Sequence, residues 1–324
     1  MKLIRNVVLP SLSAAFLCAV AARGYDLPAV NLGLTSFFDG GPPAGPGFYF
    51  TQYFEYYHAN KFADNGGNTM MLPNGKPTVE VFAGLSQLIY QSDQKVLLGG
   101  KWGLDFILPA VDYDLEPKNS LLTDNGAGIG DILVGPFIQW DPIMSEKDPI
   151  TGEKRPIFMQ RIEFQCVLPT GSYSPNEDLN AGANFFSFNP YWAGTWFIVP
   201  KWSFSWRLHY LWNDENDSPD VHVFPTAGKT QAGQAVHMNW ATEYEVIEKR
   251  LHLGINGYFL TQFTDTQVDG QAVSGRREQV IAVGPGAVYH FSQDDHLFCN
   301  AYFEMDARNR PEGQRVVLRF VHHF

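Results

Sequence analysis

Residues Trp202–Asn213 read WSFSWRLHYLWN, and this stretch decides the fold. Side chains on a β-strand point alternately to its two faces, so every second residue shares a face. One face is large and mostly aromatic: Trp202, Phe204, Trp206, Leu208, Tyr210 and Trp212. The other is mostly polar: Ser203, Ser205, Arg207, His209, Leu211 and Asn213. The stretch therefore predicts a strand with an apolar face and a wet face.

Two environments fit such a strand, namely the wall of a membrane β-barrel and one sheet of a soluble β-sandwich. The core of a soluble sandwich is close-packed, and its strands usually mix Val, Ile and Leu. Several large rings, with tryptophan near both ends, fit lipid better because aromatic girdles mark the two interfaces of a membrane barrel. The rest of the chain has to decide between the two.

Composition narrows the class of protein. The 324 residues suffice for one large β-domain or two smaller ones, with 15% aromatic and only 18% charged residues. No run of about 18 uninterrupted apolar residues follows the N-terminus, which excludes a helical membrane protein. The net charge of −11 argues against nucleic acid as a partner.

Three segments follow from the distribution of residues along the chain. Residues 1–24 are expected to be a signal peptide, with a basic start, a short apolar segment and a small-residue cleavage site. The alternatives are a membrane anchor or a lipoprotein acylated at Cys18. Residues 25–46 form a Gly/Pro-rich N-terminal segment, and residues 47–324 are expected to form an outer-membrane β-barrel.

Apolar and polar residues alternate in about twelve stretches, each near the length that a tilted strand needs to cross a bilayer. The predicted strands are 47–59, 78–90, 96–108, 129–140, 157–168, 184–197, 202–213, 234–246, 251–264, 278–291, 296–306 and 314–324. Their connections alternate between tight and long, with 141–156 as the exception, and this sorting is typical of outer-membrane barrels. The sequence thus predicts an all-β fold, a transmembrane antiparallel up-and-down β-barrel of about 12 strands. The lumen is one expected location for residues 25–46.

The wet faces of these strands carry charges that a soluble core would not hold without costly desolvation. In a barrel they can pair across the interior and keep some water. The lumen-lining candidates are Tyr53, Glu55, Lys101, Asp105, Arg161, Glu163, Tyr191, Arg207, Glu243, Glu245, Tyr258, Tyr302, Glu304, Arg315 and Arg319. On the second strand, the alternation assigns the set Val79, Val81, Ala83, Leu85 and Ile89 to the lipid face.

The loops and the C-terminus suggest partners. Acidic residues in two long loops, Asp112–Glu116 and Asp214–Asp220, are either solvated or able to bind divalent cations that bridge lipopolysaccharide. The terminal Phe324 is the type of residue that the barrel-assembly machinery reads. Expected partners are therefore outer-membrane lipid and lipopolysaccharide, the assembly machinery and a small apolar solute. The expected location is the outer membrane of a Gram-negative bacterium.

Motifs for chemistry are weak. The glycines of Gly126–Asp131 precede a strand rather than a helix, so they indicate loop geometry and not a nucleotide site. The histidines show no metal-ligand spacing, and the chain has no G-x-S-x-G elbow. We expect no catalytic, cofactor-binding or metal residues and no enzyme activity. A Ser–His pair on neighbouring strands of a barrel lipase stays open as an alternative.

Short motifs carry a family resemblance: Asn31–Ser36 (NLGLTS), Gly45–Gly47 (GPG) ahead of a tyrosine-rich strand, Gly128–Asp131 (GIGD) and Leu168–Gly171 (LPTG). With these motifs, spread over most of the mature chain, the sequence resembles the "Putative MetA-pathway of phenol degradation" family. The resemblance implies an exported outer-membrane barrel, often associated with the breakdown of aromatic compounds. It implies no catalytic residues.

The predicted function is passage or capture of small apolar solutes, with aromatic ones suggested by the resemblance alone. Lumen tyrosines are expected to stack on a ring, while lumen lysine and arginine hold polar groups. Gate candidates are Phe37, Phe38 and Asp39 in the Gly/Pro-rich segment; the alternative is a periplasmic lead-in to the first strand. Two other functions stay open, a structural barrel with a plugged lumen and a lipid-modifying outer-membrane enzyme.

Overall fold

The structure is a computed structural model, and it describes residues 26–41, 45–73, 75–117, 122–149 and 152–324. The predicted signal peptide, residues 1–24, lies outside the described residues. Within this part of the chain no helix is both long and apolar enough to cross a membrane.

Twelve long strands, β1–β12, form the wall. In chain order they are β1 (Gly47–Ala63), β2 (Thr78–Lys95), β3 (Lys101–Glu116), β4 (Ile132–Gln139), β5 (Pro156–Glu163 and, after a break, Cys166–Leu168), β6 (Ser187–Phe188 and Tyr191–Val199), β7 (Trp202–Asn213), β8 (Ala235–Ile247), β9 (Leu251–Gln262), β10 (Gln279–His290), β11 (Asp295–Arg308) and β12 (Arg310–His323). Each strand pairs antiparallel with its neighbours in sequence. Strand β1 pairs with β12, from Tyr49 opposite His323 to Ala63 opposite Arg310, and this closes the barrel. The predicted barrel of about twelve strands is confirmed.

The outer wall follows the alternation that the sequence predicts. On β7 the aromatic set is exposed or half-buried, whereas Ser203, Ser205, Arg207 and the other members of the polar set are buried inside. Large apolar side chains form a belt around the outside: Phe54 and Phe82 are more than half exposed. Outward-facing rings at the short-turn end, among them Trp102 and Trp202, resemble an aromatic girdle.

Strand ends differ from the predicted bounds mainly at one end of the barrel. Strands β1 and β3 continue to Ala63 and Glu116, well past the predicted ends at 59 and 108. Strands β11 and β12 meet in a tight hairpin at Asn309 instead of being separated by a loop. Backbone pairing continues beyond the apolar belt because hydrogen bonds between strands do not depend on side-chain polarity. Strand β3 also begins later, at Lys101, because residues Leu97–Gly99 form a turn.

The assignment of faces on β2 was wrong. Val79, Val81, Ala83 and Leu85 point into the lumen, and Phe82 and Leu88 lie on the outer wall. The reason is that the outer face of β2 mixes Phe82 and Leu88 with Glu80 and Ser86, whereas its inner face is more uniformly apolar, so hydrophobic alternation points to the wrong face. As shown below, this strand borders the apolar part of the interior.

Loop lengths orient the barrel. Long connections, including 169–186 and 214–234, lie at the end where β1 finishes, and the short turns 200–201 and 248–250 lie at the end where it begins. Outer-membrane barrels place short turns in the periplasm and long loops outside. A second, four-stranded sheet formed by residues Glu215–Asn216, Thr230–Gln231, Thr266–Val268 and Gln271–Val273 therefore lies at the extracellular end.

Candidate functional site

Residues 26–41 lie inside the barrel and run along its length. At the extracellular end, Arg276 binds the Asp26 carboxylate with two hydrogen bonds, of 2.6 and 3.0 Å. At the periplasmic end, the Gly40 N–H donates to Thr195 Oγ1 (2.9 Å) and its carbonyl accepts from Gln139 Nε2 (3.0 Å). The location in the lumen that the sequence left open is confirmed, and we call these residues the lumen segment.

The middle of the lumen segment is held as firmly as its ends. Arg315 Nη1 donates to the Leu32 carbonyl (2.6 Å), and the Gly33 N–H donates to Asn239 Oδ1 (2.8 Å). Gly33 has φ +82°, and a Cβ there would lie 2.7 Å from the Tyr302 ring. Only glycine fits such a left-handed backbone pressed against a ring, which accounts for its place in the NLGLTS motif.

The gate candidates lie at the lower end of the lumen segment. Phe37 is 1% exposed and packs in a cluster with Phe298. Phe38 makes an edge contact with His252 at 5.0 Å between ring centroids. Asp39 forms a two-bond ion pair with Arg207, at 2.6 and 2.8 Å. These three residues thus fill the periplasmic half of the lumen, and a role as a gate stays a prediction.

Around them, the periplasmic half of the lumen is a connected polar network. The Arg207 guanidinium lies 4.2 Å from the centre of the Tyr191 ring, whose hydroxyl donates to Glu163 Oε2 (2.5 Å). Arg161 Nε donates to Gln139 Oε1 (3.0 Å) and stacks on Phe137 at 4.0 Å. Buried charges of this kind are tolerated because they are paired and hydrogen-bonded.

A chain of hydrogen bonds continues this network to β1, β2 and β3. Tyr53 donates to Gln87 Oε1 (2.8 Å), and Gln87 Nε2 donates to Asp105 Oδ2 (2.7 Å). Asp105 is 2% exposed. The network therefore reaches the wall on this side of the barrel at about half its height.

A second polar cluster lies above it. Arg315 Nη1 lies 3.3 Å from Glu55 Oε1, while the hydroxyls of Tyr57 and Tyr258 both donate to the Glu304 carboxylate, at 2.6 and 2.7 Å. Tyr302 packs on the Tyr258 ring at 5.1 Å. The structure thus brings Glu55, Tyr258, Tyr302, Glu304 and Arg315 together against the lumen segment.

Of the four remaining candidates, three lie apart from both clusters, and Arg319 lies opposite Tyr53 on the neighbouring strand. Lys101 binds Asp141 (2.6 Å) and Glu245 accepts from the Lys249 N–H (2.5 Å), both at the periplasmic rim. Glu243 accepts from Ser203 Oγ, and Arg319 stacks on Phe298 at 3.7 Å. A direct role of these four in solute contact has no support from their positions.

An apolar cavity of about 330 Å³ occupies the extracellular half of the lumen. It lies between the upper lumen segment and the inner face of β1–β5. The largest group of lining residues is aliphatic and includes Leu27, Val30, Leu34, Val79, Val81, Ala83, Leu85, Ile107, Val111, Leu115, Leu133 and Val167. On β1, β2 and β7 the lining residues nearest the periplasmic end are Tyr53, Gln87 and Arg207. All three belong to the polar network, which therefore forms the floor of the cavity. Residues of the extracellular loops, including Tyr173 and Asp220, line its upper part.

Sequence reasoning missed this cavity because it searched for charged and tyrosine side chains on the wet faces. The aliphatic lining of β2 was assigned to lipid, and that of β3 was not considered. A usable signal exists, since the charged face of β3 switches from Asp105, which points inward, to Asp112 and Asp114, which point outward and alternate with the inward Val111 and Leu115. In a barrel with a polar interior, such a switch indicates an apolar part of the lumen.

Comparison with known proteins now gives the family. The sequence profile of the "Putative MetA-pathway of phenol degradation" family matches residues 59–320. The chain belongs to this family. The resemblance predicted from short sequence motifs is thereby confirmed. No curated protein matches the chain.

Solved structures agree on the fold of this family member. A COG4313 outer membrane channel from Pseudomonas putida F1 is similar with a TM-score of 0.70 and 17% identity, over 91% of this chain and 100% of that one. The NalP autotransporter translocator domain from Neisseria meningitidis aligns at a TM-score of 0.46 and 9% identity, over 86% of this chain and 89% of that one. A TodX mutant monoaromatic hydrocarbon channel aligns at a TM-score of 0.46 and 9% identity, over 88% of this chain and 93% of that one. The last two scores are too low to carry an argument.

The apolar outer wall and the similarity to the Pseudomonas putida channel together indicate the membrane in which this barrel resides. An apolar outer belt around a closed barrel fits only a lipid environment. The fold is that of an outer membrane channel. The predicted location in an outer membrane is confirmed.

Proposed function

We propose that this barrel takes up or captures small apolar solutes from outside the cell, through the cavity in the extracellular half of its lumen. The observation that carries the proposal is an aliphatic chamber of about 330 Å³ inside a lumen that is otherwise lined by charged groups. The name of the family and the description of the Pseudomonas putida relative as a channel support it.

The size of the cavity favours one small molecule at a time. A cavity of about 150 Å³ lined by aliphatic and aromatic side chains is large enough to bind benzene. The chamber here is about twice that size, which suits a substituted single ring or a short alkyl chain. Burial of a ring with about 150–200 Å² of apolar surface contributes about 4–5 kcal/mol to the free energy of binding, before the entropic costs of association are subtracted.

Polar groups at the floor and side of the chamber suit a solute with one hydrogen-bonding group. The Tyr53 hydroxyl, the Gln87 amide and the Glu55–Arg315 pair all line the cavity. A few convergent polar groups in an apolar pocket are the usual arrangement for orienting a ligand. Phenols, which combine an apolar ring with one hydroxyl, are therefore the class of solute that we propose.

A matched pair of substitutions tests the proposal. Ala83 lines the cavity on β2, whereas Ala110 on the adjacent β3 points outward, and the two positions lie next to each other in register. Ala83→Phe fills the chamber, so binding of a fluorinated phenol to the barrel in lipid nanodiscs, followed by ¹⁹F NMR, is expected to weaken by at least about tenfold. Ala110→Phe should bind as the unsubstituted protein does.

The result that would overturn the proposal is equal binding by both variants, or no saturable binding by the unsubstituted protein. Cell assays extend the test. A strain that lacks its own aromatic channel should accumulate radiolabelled phenol faster with this barrel, and Ala83→Phe should remove the gain. Cells are needed because small apolar molecules cross simple phospholipid vesicles without a channel, whereas lipopolysaccharide slows them.

A structural barrel with a plugged lumen is the second candidate. The polar network and the lower lumen segment, tied by the Asp39–Arg207 pair, favour it, because they fill the periplasmic half. Liposome swelling with small sugars addresses passage of water-soluble molecules, and we expect little swelling from either candidate. Phenol binding in the chamber then separates them.

We further propose that the barrel has no enzymatic activity. The similarity to a channel supports this, and hydrolysis of phospholipid by the purified protein would contradict it. We also propose that residues 1–24 are removed on export and that Phe324, which is 73% exposed, contacts the barrel-assembly machinery. Crosslinking from position 324 tests the second point, and N-terminal sequencing of the mature protein tests the first.

A further inference from the structure

Two extracellular loops bring together side chains that are far apart in sequence. Asp178 lies in the loop between β5 and β6, and Asp220 and His222 lie in the loop between β7 and β8. One potential ligand atom from each of the three lies within 4.8 Å of the others. Within the described residues this is the one group of three or more His, Cys, Asp or Glu that meets this distance.

We propose that Asp178, Asp220 and His222 bind a divalent transition-metal ion of the zinc class, which ties the two loops over the mouth of the cavity. The site is independent of the identity of the solute, so it stands or falls apart from the proposed function.

The distances fit such an ion. His222 Nδ1 lies 3.7 Å from Asp178 Oδ2 and 3.9 Å from Asp220 Oδ1. Ligands of a tetrahedral zinc ion at bond lengths of about 2.0–2.1 Å are about 3.4 Å apart. Two of the three ligand–ligand distances therefore lie within about 0.5 Å of those in a tetrahedral zinc site, and the third, between the two carboxylates, is at most 4.8 Å.

Asp178 supplies the independent sign of a ligand. Its side chain is only 8% exposed, and its Oδ1 is buried without a hydrogen-bond partner in the described part of the chain. A buried carboxylate oxygen without a donor is costly, and a bound cation is one way to satisfy it. The other oxygen, Oδ2, is the one that lies 3.7 Å from His222 Nδ1, and it accepts from the Thr123 N–H (2.8 Å) and hydroxyl (3.1 Å), which fix the orientation of the carboxylate. An ion that also satisfies Oδ1 would be held by both oxygens of this carboxylate.

Asp220 is oriented in the same manner. Its Oδ1 accepts from the backbone N–H of His222 (2.7 Å) and of Val223 (3.2 Å). Outer hydrogen bonds that hold carboxylates in place are a regular feature of metal sites.

The donor set selects the class of metal. Two carboxylates and one imidazole suit zinc and neighbouring transition metals, whereas calcium and magnesium prefer oxygen ligands throughout. The His222 side chain is 38% exposed, so a hydrated ion can reach the site from outside and keep water as a fourth ligand. Three protein ligands and one water are a common zinc arrangement.

The two loops already contact each other beside the site. The Tyr173 hydroxyl donates to the Ser218 carbonyl (2.7 Å), and the Val221 N–H donates to the Pro175 carbonyl (2.8 Å). Thr123 adds a third loop, the one between β3 and β4. An ion at this point would lock the loops that carry Tyr173 and Asp220, both of which line the cavity.

Isothermal titration of the tag-free, full chain in lipid nanodiscs with zinc chloride tests the site. We expect one saturable ion per barrel, with affinity reduced by at least about tenfold in Asp178→Asn and His222→Ala. His58→Ala is the matched control, because His58 has the same 38% side-chain exposure, pairs with Glu80 and lies outside the cluster. The gel shift between unboiled and boiled samples checks that each variant is folded.

Equal zinc affinity in all of these folded variants, or no saturable site, would overturn the proposal. Tighter binding of calcium than of zinc would also overturn it, because calcium prefers oxygen ligands and the result would indicate that the His222 imidazole is not a ligand. Limited proteolysis tests the tie between the loops. Zinc should slow cleavage within residues 214–234 of the unsubstituted protein and not of His222→Ala, and equal cleavage rates with and without zinc would contradict the tie.

Discussion

The two halves of the lumen differ in what fills them. The extracellular half holds an aliphatic chamber of about 330 Å³ beside the lumen segment. The periplasmic half holds the Asp39–Arg207 pair and the buried network around Glu163 and Tyr191. One wall of twelve strands therefore encloses a largely apolar site above and a hydrogen-bonded polar plug below. This arrangement differs from a uniform water-filled pore and fits the proposed capture of a solute in the upper half.

The lumen segment joins the two halves, and its contacts differ accordingly. In the lower half the Phe38 and Gly40 amides donate to Ser205 and Thr195, and Asp39 binds Arg207. In the upper half, Leu27, Val30 and Leu34 turn apolar side chains toward the chamber. One hydrogen bond makes a net contribution of about 0.5–1.5 kcal/mol to stability, and release of the whole segment would break many of them at once. We therefore expect the segment to shape the chamber more than to swing out as a gate.

Removal of the lumen segment should have the largest effect and would erase the difference between the halves. Deleting residues 26–41 takes away the wall of the chamber and the partners of Arg207 and Arg276. We expect single-channel conductance in planar bilayers to rise several-fold, because a twelve-strand barrel is then left with an open interior. Unchanged conductance in a barrel that still shows the unboiled gel shift would mean that the segment does not block the path.

Loss of one buried charge in the periplasmic half of the lumen should lower the stability of the barrel strongly. Asp39→Ala leaves the Arg207 guanidinium buried without its carboxylate, at an expected cost of about 3–5 kcal/mol in the free energy of unfolding. Urea unfolding in detergent micelles measures it. The matched control is Glu215→Ala, which breaks the exposed pair with Lys229 and should cost less than about 1 kcal/mol. Similar losses in both variants would show that the Asp39 pair is not desolvated.

A cavity-enlarging change in the upper half should cost less stability and alter selectivity. Leu115 is 3% exposed and borders the chamber, so Leu115→Ala is expected to cost about 2–3 kcal/mol, near the low end for this substitution. The larger chamber should bind bicyclic phenols such as naphthol better relative to phenol. ¹⁹F NMR competition measures the ratio, and an unchanged ratio would place the solute elsewhere.

The smallest effect should come from an exposed pair at the periplasmic rim. Hydrogen bonds from Lys101 and Lys95 hold the pKa of Asp141 below its usual value of 3.8. A lowered pKa in the folded state stabilises the protein above pH 3.8, and this contribution is lost as the pH falls through the lowered value. Asp141→Asn should cost less than about 1 kcal/mol at pH 7, and the difference from the unsubstituted protein should shrink below pH 3.8. A difference that stays constant down to the acid limit would mean that the ion pair is not its source.

Sequence patterns predict the wall well and its contents poorly. The alternation of Trp202–Asn213 gives both faces of β7 correctly, because lipid outside and charge inside differ sharply in polarity. The same reasoning fails on β2, where Val81 faces the chamber and Phe82 faces lipid. The outer face of β2 also carries Glu80 and Ser86, so a rule that assigns the more apolar face to lipid selects the wrong side of this strand.

The candidate metal site shows a second limit. Asp178 and His222 are separated by a strand pair and two loops, so their spacing resembles no ligand motif. Loop conformation alone brings them together at 3.7 Å. A local reading of the sequence therefore gave no reason to pick His222 over the other histidines.

The sequence by itself determined a twelve-strand membrane barrel, its family and, except on β2, its outer belt, because strand periodicity and strand length are local properties that lipid constrains. Only the tertiary structure decided the path of residues 26–41 through the lumen, the chamber beside them and the partners of each buried charge. Those features depend on which of the twelve inner faces meet across the barrel. That is set by closure and by contacts between residues more than a hundred positions apart.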